Sequence, residues 1–534
     1  MPTLHWVGKN KVVNHHHDVP FRLLDKQYSF TANEGTPANS TNNRIIHGDN
    51  LEALKSLLPE FEGKVNCIYI DPPYNTGNEG WVYNDAVNDP KIKKWLGQVV
   101  GKEGEDLSRH DKWLCMMYPR LKLLHRLLAD DGVILVSLDD IEAGNFRLLM
   151  DEIFGFGNRI ATIVWNTRNT DNRIKSYLSP DHENIFVYGK SGFARIEGRV
   201  INRSDFRNPD NDPRGPYVTD PLKGKATASE RPNLHSYNME QPNTKNVWAP
   251  DPAKGWITDR AGYEKLLAED RIWWPPNPET GWPRKKRFLS EVQERMPASS
   301  FWAEFKTQSG ARELDEILDE RVFAFPKPIS LVQRIISYCA PPGCIVMDSF
   351  AGSGTTAHAV LKQNAEDGGN RRFILCEMMD YAETITAERV RRVINGYGEG
   401  NKAVAGLGGG FDFYSVGTAL FKEDKNLNEE VGAEAIRSYV AYTENIPTEK
   451  RLDIENPVSP YALGATDTSL CVFYYEKDRV TTLDIDFLGQ LKIKNLPSRP
   501  EQFVIYADKC ALDKDFLYKH GITFKRIPRD ITRF

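Results

Sequence analysis

The sequence predicts an α/β fold: a doubly wound, mostly parallel sheet, interrupted by a loop-rich insertion and followed by a smaller α/β segment. Three observations carry this. Short runs that are apolar on both sides, such as Val65-Asn66-Cys67-Ile68-Tyr69-Ile70, alternate with amphipathic helical stretches, the pattern of strands covered on both faces. That alternation is present before residue 166 and resumes after residue 321. Between the two, proline, glycine, asparagine and tryptophan become frequent and helical periodicity fades.

A chain of 534 residues is too long for one compact core. The expected divisions are an N-terminal arm (1–40), a first half of the sheet domain (41–165), the insertion (166–321), a second half (322–415) and a C-terminal domain (416–534). In the first half, Arg44–His47 reads as a strand, and Leu51, Leu54, Leu57 and Leu58 mark a helix that Asp49 or Asn50 is placed to cap. The strand Val65–Ile70 stops abruptly at Asp71-Pro72-Pro73-Tyr74. A helix from about Trp113 to Leu128, a strand Val133–Leu138, a helix Glu142–Phe154 and strands Ile160–Trp165 and Asn184–Tyr188 follow. The second half supplies a helix Lys327–Ala340, a strand Cys344–Asp348, a helix Ala357–Ala365 and a strand Phe373–Glu377.

Hydrophobic content of 40% and charged content of 27% describe an ordinary globular protein. No run approaches the roughly 18 apolar residues that span a bilayer. The N-terminus lacks the layout of a secretion signal, so a cytoplasmic location without membrane association is expected. Seven scattered cysteines without a C-x-x-C pair argue for reduced thiols and no metal site. His15, His16 and His17 are adjacent, cannot all face one metal and read as a solvated loop. The net charge of −5 advertises no polyanion-binding face. Arg284-Lys285-Lys286-Arg287 is the densest basic run, a pattern that is more often solvated surface than groove.

Asp348-Ser349-Phe350-Ala351-Gly352-Ser353-Gly354-Thr355-Thr356 lies between a buried strand and a helix. Its glycines permit a sharp turn and close approach of a ligand to the strand end. Glu377, ending the next strand, is placed to accept both ribose hydroxyls of a nucleoside. No lysine follows Gly354, so the loop is not a phosphate-cradling P-loop. Ala357 stands where a dinucleotide site prefers a third glycine, which weakens that reading without removing it. A phosphate-free cofactor with a positive centre beside Asp348 fits better, and S-adenosylmethionine is such a molecule.

Pro72 and Pro73 fix φ and remove two backbone donors, so the turn after Ile70 is rigid and rich in acceptors. The Asp71 carboxylate and the Pro72 carbonyl together suit an amino group, which has two N–H bonds to give. Tyr74 adds a flat face for a base. Acceptors of this kind draw a ring-conjugated amine toward tetrahedral geometry, and a carboxylate gains interaction as positive charge moves from sulfur to nitrogen. Alignment contributes up to roughly 7–11 kcal/mol, and each acceptor about 3 kcal/mol. A base inside a duplex must be flipped out to reach such a turn.

D-P-P-Y first and F-x-G-x-G second resemble the β class of DNA amino-methyltransferases. The string DPPYNTGNEGWVYND, the helix start Lys327-Pro328-Ile329-Ser330-Leu331-Val332 and the ending FKRIPRDITRF are similar to the modification subunit of type III restriction–modification systems. The resemblance implies a Rossmann-like methyltransferase with circularly permuted motif order, whose halves flank a target-recognition domain, and adenine N6 in double-stranded DNA as the acceptor. It places Asp71, Pro72, Pro73 and Tyr74 at the flipped adenine. Phe350, Gly352 and Gly354, with Asp348 and Thr355 of the same loop, would line S-adenosylmethionine, and Glu377 would take its ribose. Asp49 would contact its adenine amino group, a role that competes with helix capping, and Lys327 would help close the cofactor pocket. A homodimer and a separate helicase–nuclease subunit are the implied partners. Cytosine N4 is the nearest alternative acceptor, and a solitary adenine methyltransferase the nearest alternative context. A nicotinamide-dependent oxidoreductase, an inactive assembly subunit and an RNA or protein methyltransferase stand further off.

Overall fold

The computed structural model describes residues 3–76, 109–170, 177–200, 203–277, 279–293, 295–465, 468–496 and 499–529. Residues 77–85 of the string that begins at Asp71, and residues 530–534 of the chain ending, lie outside them. The described residues form two compact units, Glu197–Ala298 and the chain on either side of it. The compact insertion is thus shorter than the 166–321 read from composition. The difference arises because Trp302, Leu314 and Ile317 are buried, and residues 299–321 belong to the sheet-bearing unit.

The main sheet of that unit has ten strands: β1 (Arg22–Thr31), β2 (Asn43–His47), β3 (Val65–Ile70), β4 (Leu128–Leu138), β5 (Arg159–Asn166), β6 (His182–Gly189), β7 (Phe301–Trp302), β8 (Ile345–Asp348), β9 (Arg372–Glu377) and β10 (Gly410–Ala419). They form one sheet in the order β1-β10-β2-β9-β8-β3-β4-β6-β5-β7. The six strands from β10 to β4 are all parallel. β6 runs antiparallel to both β4 and β5, and β1 antiparallel to β10. The N-terminal arm expected over 1–40 therefore contributes an edge strand. Before it, His15–Asp18 form a short helix in place of the expected loop. His16 is buried there, and burial lowers its imidazole pKa to about 4.

Seven helices matter for the site: α1 (Asn50–Phe61), α2 (Arg109–Leu127), α3 (Asp140–Met150), α4 (Thr307–Leu318), α5 (Ile329–Cys339), α6 (Thr355–Asp367) and α7 (Glu388–Asn395). Helix α4 went unread because its apolar positions are few: Thr307-Gln308-Ser309-Gly310 opens it, and only Leu314, Ile317 and Leu318 carry the stripe. On the sheet, Ile68, Ile70, Ile134, Val136 and Met347 share a core with α1, α2 and α3. Their neighbours Cys67, Tyr69, Val133, Leu135 and Val346 are equally buried. Both faces are covered, which is why these strands are continuous apolar runs without alternation.

The connections set the position of the site. From β3 the chain passes through α2 to β4 on one side, and from β8 through α6 to β9 on the other. β3 and β8 are neighbours, so the winding reverses between them, and a crevice opens outside the carboxyl ends of the strands at such a point.

The C-terminal segment builds a second sheet from β11 (Ala462–Ala465), β12 (Ser469–Phe473), β13 (Gln502–Ala507) and β14 (Ile522–Arg526), in that order. Only the β11–β12 pairing is antiparallel. In the insertion, Ile272–Trp273, Arg284–Phe288 and Tyr217–Pro221 form a three-stranded antiparallel sheet over a core with Trp248, Trp256 and Tyr263. The basic run is the middle strand of that sheet. Lys286 is buried with its Nζ 2.7 Å from Asp210 and 3.1 Å from Asp212. Arg287 pairs with Asp220 at 2.9 Å. Much of its charge is consumed internally.

Candidate active site

Both sequence motifs leave the sheet at one edge. Val346 lies opposite Cys67 and Met347 opposite Ile68, so the proline turn after β3 and the glycine loop after β8 start side by side. Glu377 ends β9 beside His47, the last residue of β2. On the other flank, Asn184 of antiparallel β6 faces Leu138 at the end of β4, which brings Glu183 to the same edge. The proline turn, the glycine loop, Glu377 and Glu183 thus lie along one edge of the sheet.

The proline turn is anchored from α2. Buried Trp113 donates its Nε1–H to the Pro73 carbonyl at 2.6 Å. An indole N–H needs a partner when buried, and here that requirement fixes the turn. Next to it, Asn75 adopts a left-handed φ of 61° and donates to buried Glu142.

The Tyr74 hydroxyl, expected to accompany a stacking ring, is the centre of a charged cluster. It lies 2.8 Å from Asp71 Oδ1 and 2.7 Å from Glu183 Oε2, and accepts from Lys327 Nζ at 2.8 Å. Its single hydrogen can serve only one of the two carboxylates at a time. Lys327 Nζ also pairs with Asp71 Oδ2 at 2.8 Å and approaches Glu183 Oε2 to 3.6 Å. Burial alone would lower the Lys327 pKa, but Asp71 and Glu183 outweigh it and the pKa is raised. The lysine expected to close the cofactor pocket instead directs its ammonium at the proline turn, while its carbonyl accepts from Thr355 at 3.4 Å. Its backbone is seated against α4, where any side chain at Gly310 would strike the Pro326 carbonyl and Lys327.

The glycine loop is braced from three sides. Gly352 and Gly354 have φ of 51° and 78°, a region that disfavours other residues. Gly352 N–H donates to Glu377 Oε2 at 2.7 Å, and Met379 N–H to Oε1 at 2.9 Å. Asp348 accepts from Phe350 N–H at 3.0 Å and from the Thr356 hydroxyl at 2.6 Å. Thr355, expected at the cofactor, is buried and accepts from Arg389 of α7 at 2.7 Å, so its hydroxyl supports the loop from within. Phe350 leans on the main core.

Asp49 caps α1, accepting from Leu51 N–H at 2.8 Å and Glu52 N–H at 3.2 Å. Its neighbour Asn50 ties that cap to the glycine loop by donating to the Ser349 carbonyl at 3.1 Å. Burial raises the carboxyl pKa of both Asp348 and Glu377 to about 7. Ser349 Oγ is buried without a hydrogen-bond partner. Two ionisable acceptors and an orphaned hydroxyl beside a glycine turn suit a ligand that brings hydroxyl donors and a positive centre. Beyond Tyr74 and Glu183 a cleft of about 830 Å³ opens, lined also by Asp139, His182, Thr307 and Phe323. Among the described residues no cluster of His, Cys, Asp and Glu is arranged to hold a metal ion, and no helix is long and apolar enough to cross a membrane.

Sequence reasoning missed Trp113, Glu183 and Arg389. Trp113 opens a stretch read as helix, Glu183 stands one residue before the strand read from Asn184, and Arg389 falls where no element was read; none carries a spacing signal. The one hint is chemical: a charged residue opening the apolar strand at Glu183 and a fully buried arginine in α7 need partners.

Among known proteins, the chain is 32% identical over 359 residues to the type III restriction-modification enzyme StyLTI Mod subunit of Salmonella typhimurium, covering 63% of this chain and 52% of that one. It is 31% identical over 451 residues to the type III restriction-modification enzyme EcoPI Mod subunit of Escherichia phage P1, covering 75% and 66%. It is 32% identical over 358 residues to the type II methyltransferase M.KpnI of Klebsiella pneumoniae, covering 64% and 82%. The chain therefore spans about half to two thirds of the length of the two Mod subunits. The family model described as DNA methylase matches residues 65–388. That span opens with the strand that delivers Asp71 and closes just past Glu377, and the chain belongs to the DNA methylase family.

Proposed function

We propose that this chain methylates the exocyclic amino group of a base in double-stranded DNA, N6 of adenine, as the modification subunit of a type III restriction–modification system. One observation carries the reading: an amine-accepting turn and a nucleoside-accepting loop leave adjacent parallel strands at the reversal of the sheet. Asp71 and the Pro72 carbonyl receive the two N–H bonds of the base and hold its lone pair toward the glycine loop. Glu377 takes hydroxyl donors of the cofactor, Asp348 faces its positive centre, and Gly352 and Gly354 let it approach the backbone. S-adenosylmethionine supplies the methyl group when bound there. The N–C bond forms from the amine lone pair, the C–S electrons stay with sulfur, and the nitrogen then gives up one proton to water. The cleft beyond Tyr74, about 830 Å³, falls within the size range of small-molecule pockets and receives the extruded base.

The relatives named as type III Mod subunits support the restriction–modification context, with a homodimer and a helicase–nuclease subunit as partners and the cytoplasm as the place of action. Glu197–Ala298 is the proposed target-recognition unit. The decisive experiment incubates the protein with radiolabelled S-adenosylmethionine and duplex DNA and digests the product to nucleosides. Label in N6-methyl-2′-deoxyadenosine is expected. Label in N4-methyl-2′-deoxycytidine would move the acceptor to cytosine, whose amino group offers the same two donors, and no label on any DNA would overturn the proposal.

A further inference from the structure

The charge at the proline turn does not balance if Asp71 acts alone. Lys327 Nζ sits 2.8 Å from Asp71 Oδ2, so the carboxylate assigned to the developing cation is already neutralised. Glu183 is the second carboxylate within reach of both Lys327 and the Tyr74 hydroxyl, and it lines the cleft. Resting on the methyltransferase reading, we propose that Glu183 supplies the uncompensated negative charge of the catalytic site, with Lys327 dividing its own charge between Glu183 and Asp71. As the N–C bond forms and the C–S bond breaks, positive charge passes from sulfur to nitrogen, and the nitrogen then loses a proton to water. A cluster of two carboxylates and one ammonium keeps a net charge of −1 to meet that charge throughout. An Asp71–Lys327 pair by itself offers none.

The surroundings agree. The titratable groups facing the cluster are Tyr69 from β3, Asp348 from β8 and Asp139 after β4, besides Tyr74 itself. Burial is the main reason that Asp348 is raised to about 7 and Asp139 to about 6, but Asp71 adds to the first and Glu183 to the second. Each carboxylate of the cluster therefore projects negative potential onto its neighbour despite the lysine. Tyr74 is held protonated by burial and by the same two carboxylates, so it contributes a hydrogen bond and no charge.

Substitutions that change charge but little shape separate this from a structural role. Glu183→Gln can still accept from Tyr74 but leaves the cluster neutral, and turnover should fall by about 100-fold, the scale of a lost electrostatic contact in a dry site. Its affinity for S-adenosylmethionine, read by calorimetry, should stay within a few-fold and report an intact fold. Lys327→Met leaves two carboxylates together, so they should share a proton near neutral pH. Turnover of that variant should rise with pH, and the unloaded protein should show more protonated-carboxyl infrared absorption than wild type, beyond what buried Asp348 and Glu377 contribute to both. The double variant Glu183→Gln with Lys327→Met restores −1 and should turn over faster than Glu183→Gln alone. Wild-type turnover in Glu183→Gln, or a double variant slower than the single, would overturn the proposal. Should wild type methylate no DNA, the functional reading fails instead, and the infrared comparison still decides whether Lys327 is shared between the two carboxylates.

Discussion

Gly352 donates its backbone N–H to Glu377 Oε2 at 2.7 Å, so the residue that shapes the glycine loop also orients the carboxylate at the next strand end. Both are buried, and burial pushes Glu377 and Asp348 up to about 7. Hydroxyl donors and a sulfonium favour the ionised forms, so affinity for S-adenosylmethionine should rise as pH increases through about 7, with protons released on binding. Calorimetry in two buffers of different ionisation enthalpy measures that release. The empty protein should respond in the opposite sense. These folded pKa values exceed the unfolded ones of about 4, so their contribution to stability is full below about pH 4 and is lost as pH rises through about 7.

On the proposed role of Asp71 as amine acceptor, its removal should affect chemistry and spare the cofactor. Asp71→Ala is expected to reduce kcat/KM by roughly 3 kcal/mol or more, the scale of one aligned polar group in a dry site. Its dissociation constant for S-adenosylmethionine should stay within a few-fold. Near-normal turnover would show that the amine is held elsewhere.

Trp113→Phe tests whether the turn must be anchored. The substitution preserves an aromatic core but leaves the Pro73 carbonyl without the donor at 2.6 Å, a loss of about 1–3 kcal/mol if the group stays dry. Turnover should fall with little change in cofactor affinity, because the hydrogen bond lost from Trp113 belongs to the proline turn. A variant that loses cofactor affinity instead would place Trp113 in a broader structural role.

Gly354→Val addresses the other loop. At φ 78° its Cβ would stand 3.1 Å from the Thr386 carbonyl and 3.4 Å from the Thr386 methyl. A branched residue in that region costs about 1–3 kcal/mol, taken from the loop geometry that holds Glu377. Cofactor affinity should drop several-fold in a direct binding measurement, while DNA affinity in a mobility-shift assay should not.

What the sequence disclosed and what it withheld divide along one physical line. Strands buried on both faces, the rigid Asp71–Tyr74 turn and the glycine loop are local, and each was legible because proline, glycine and apolar runs restrict their own backbone. Lys327 illustrates the rest. Its ammonium meets Asp71 across 256 residues of chain, and nothing local says which end of the site a buried lysine serves. Thr355 was assigned to the cofactor by position in the loop, whereas its hydroxyl answers to Arg389, a partner set by the packing of α7. The arm over 1–40 gave no hint of the edge strand β1, because a half-exposed strand such as Arg22–Thr31 carries a weak pattern.

The basic run in the insertion supplies the last test. Lys286, buried between Asp210 and Asp212, belongs to the interior of that unit, and its carboxylate partners overcome burial to raise its pKa. Breaking a buried pair by removing one partner leaves an uncompensated charge and costs about 3–5 kcal/mol. Arg214 still holds Asp212 at 2.7 Å, which places Lys286→Met toward the lower end. Because Glu197–Ala298 is a compact unit of its own, the variant should unfold that unit at lower temperature or denaturant while the sheet-bearing unit keeps its cofactor affinity. If the insertion recognises DNA, specific DNA binding should weaken in parallel. Lys285→Met in the adjacent position is the control: its calorimetric trace should match wild type, whereas equal destabilisation by both would mean the run acts through overall charge and not through the buried pair.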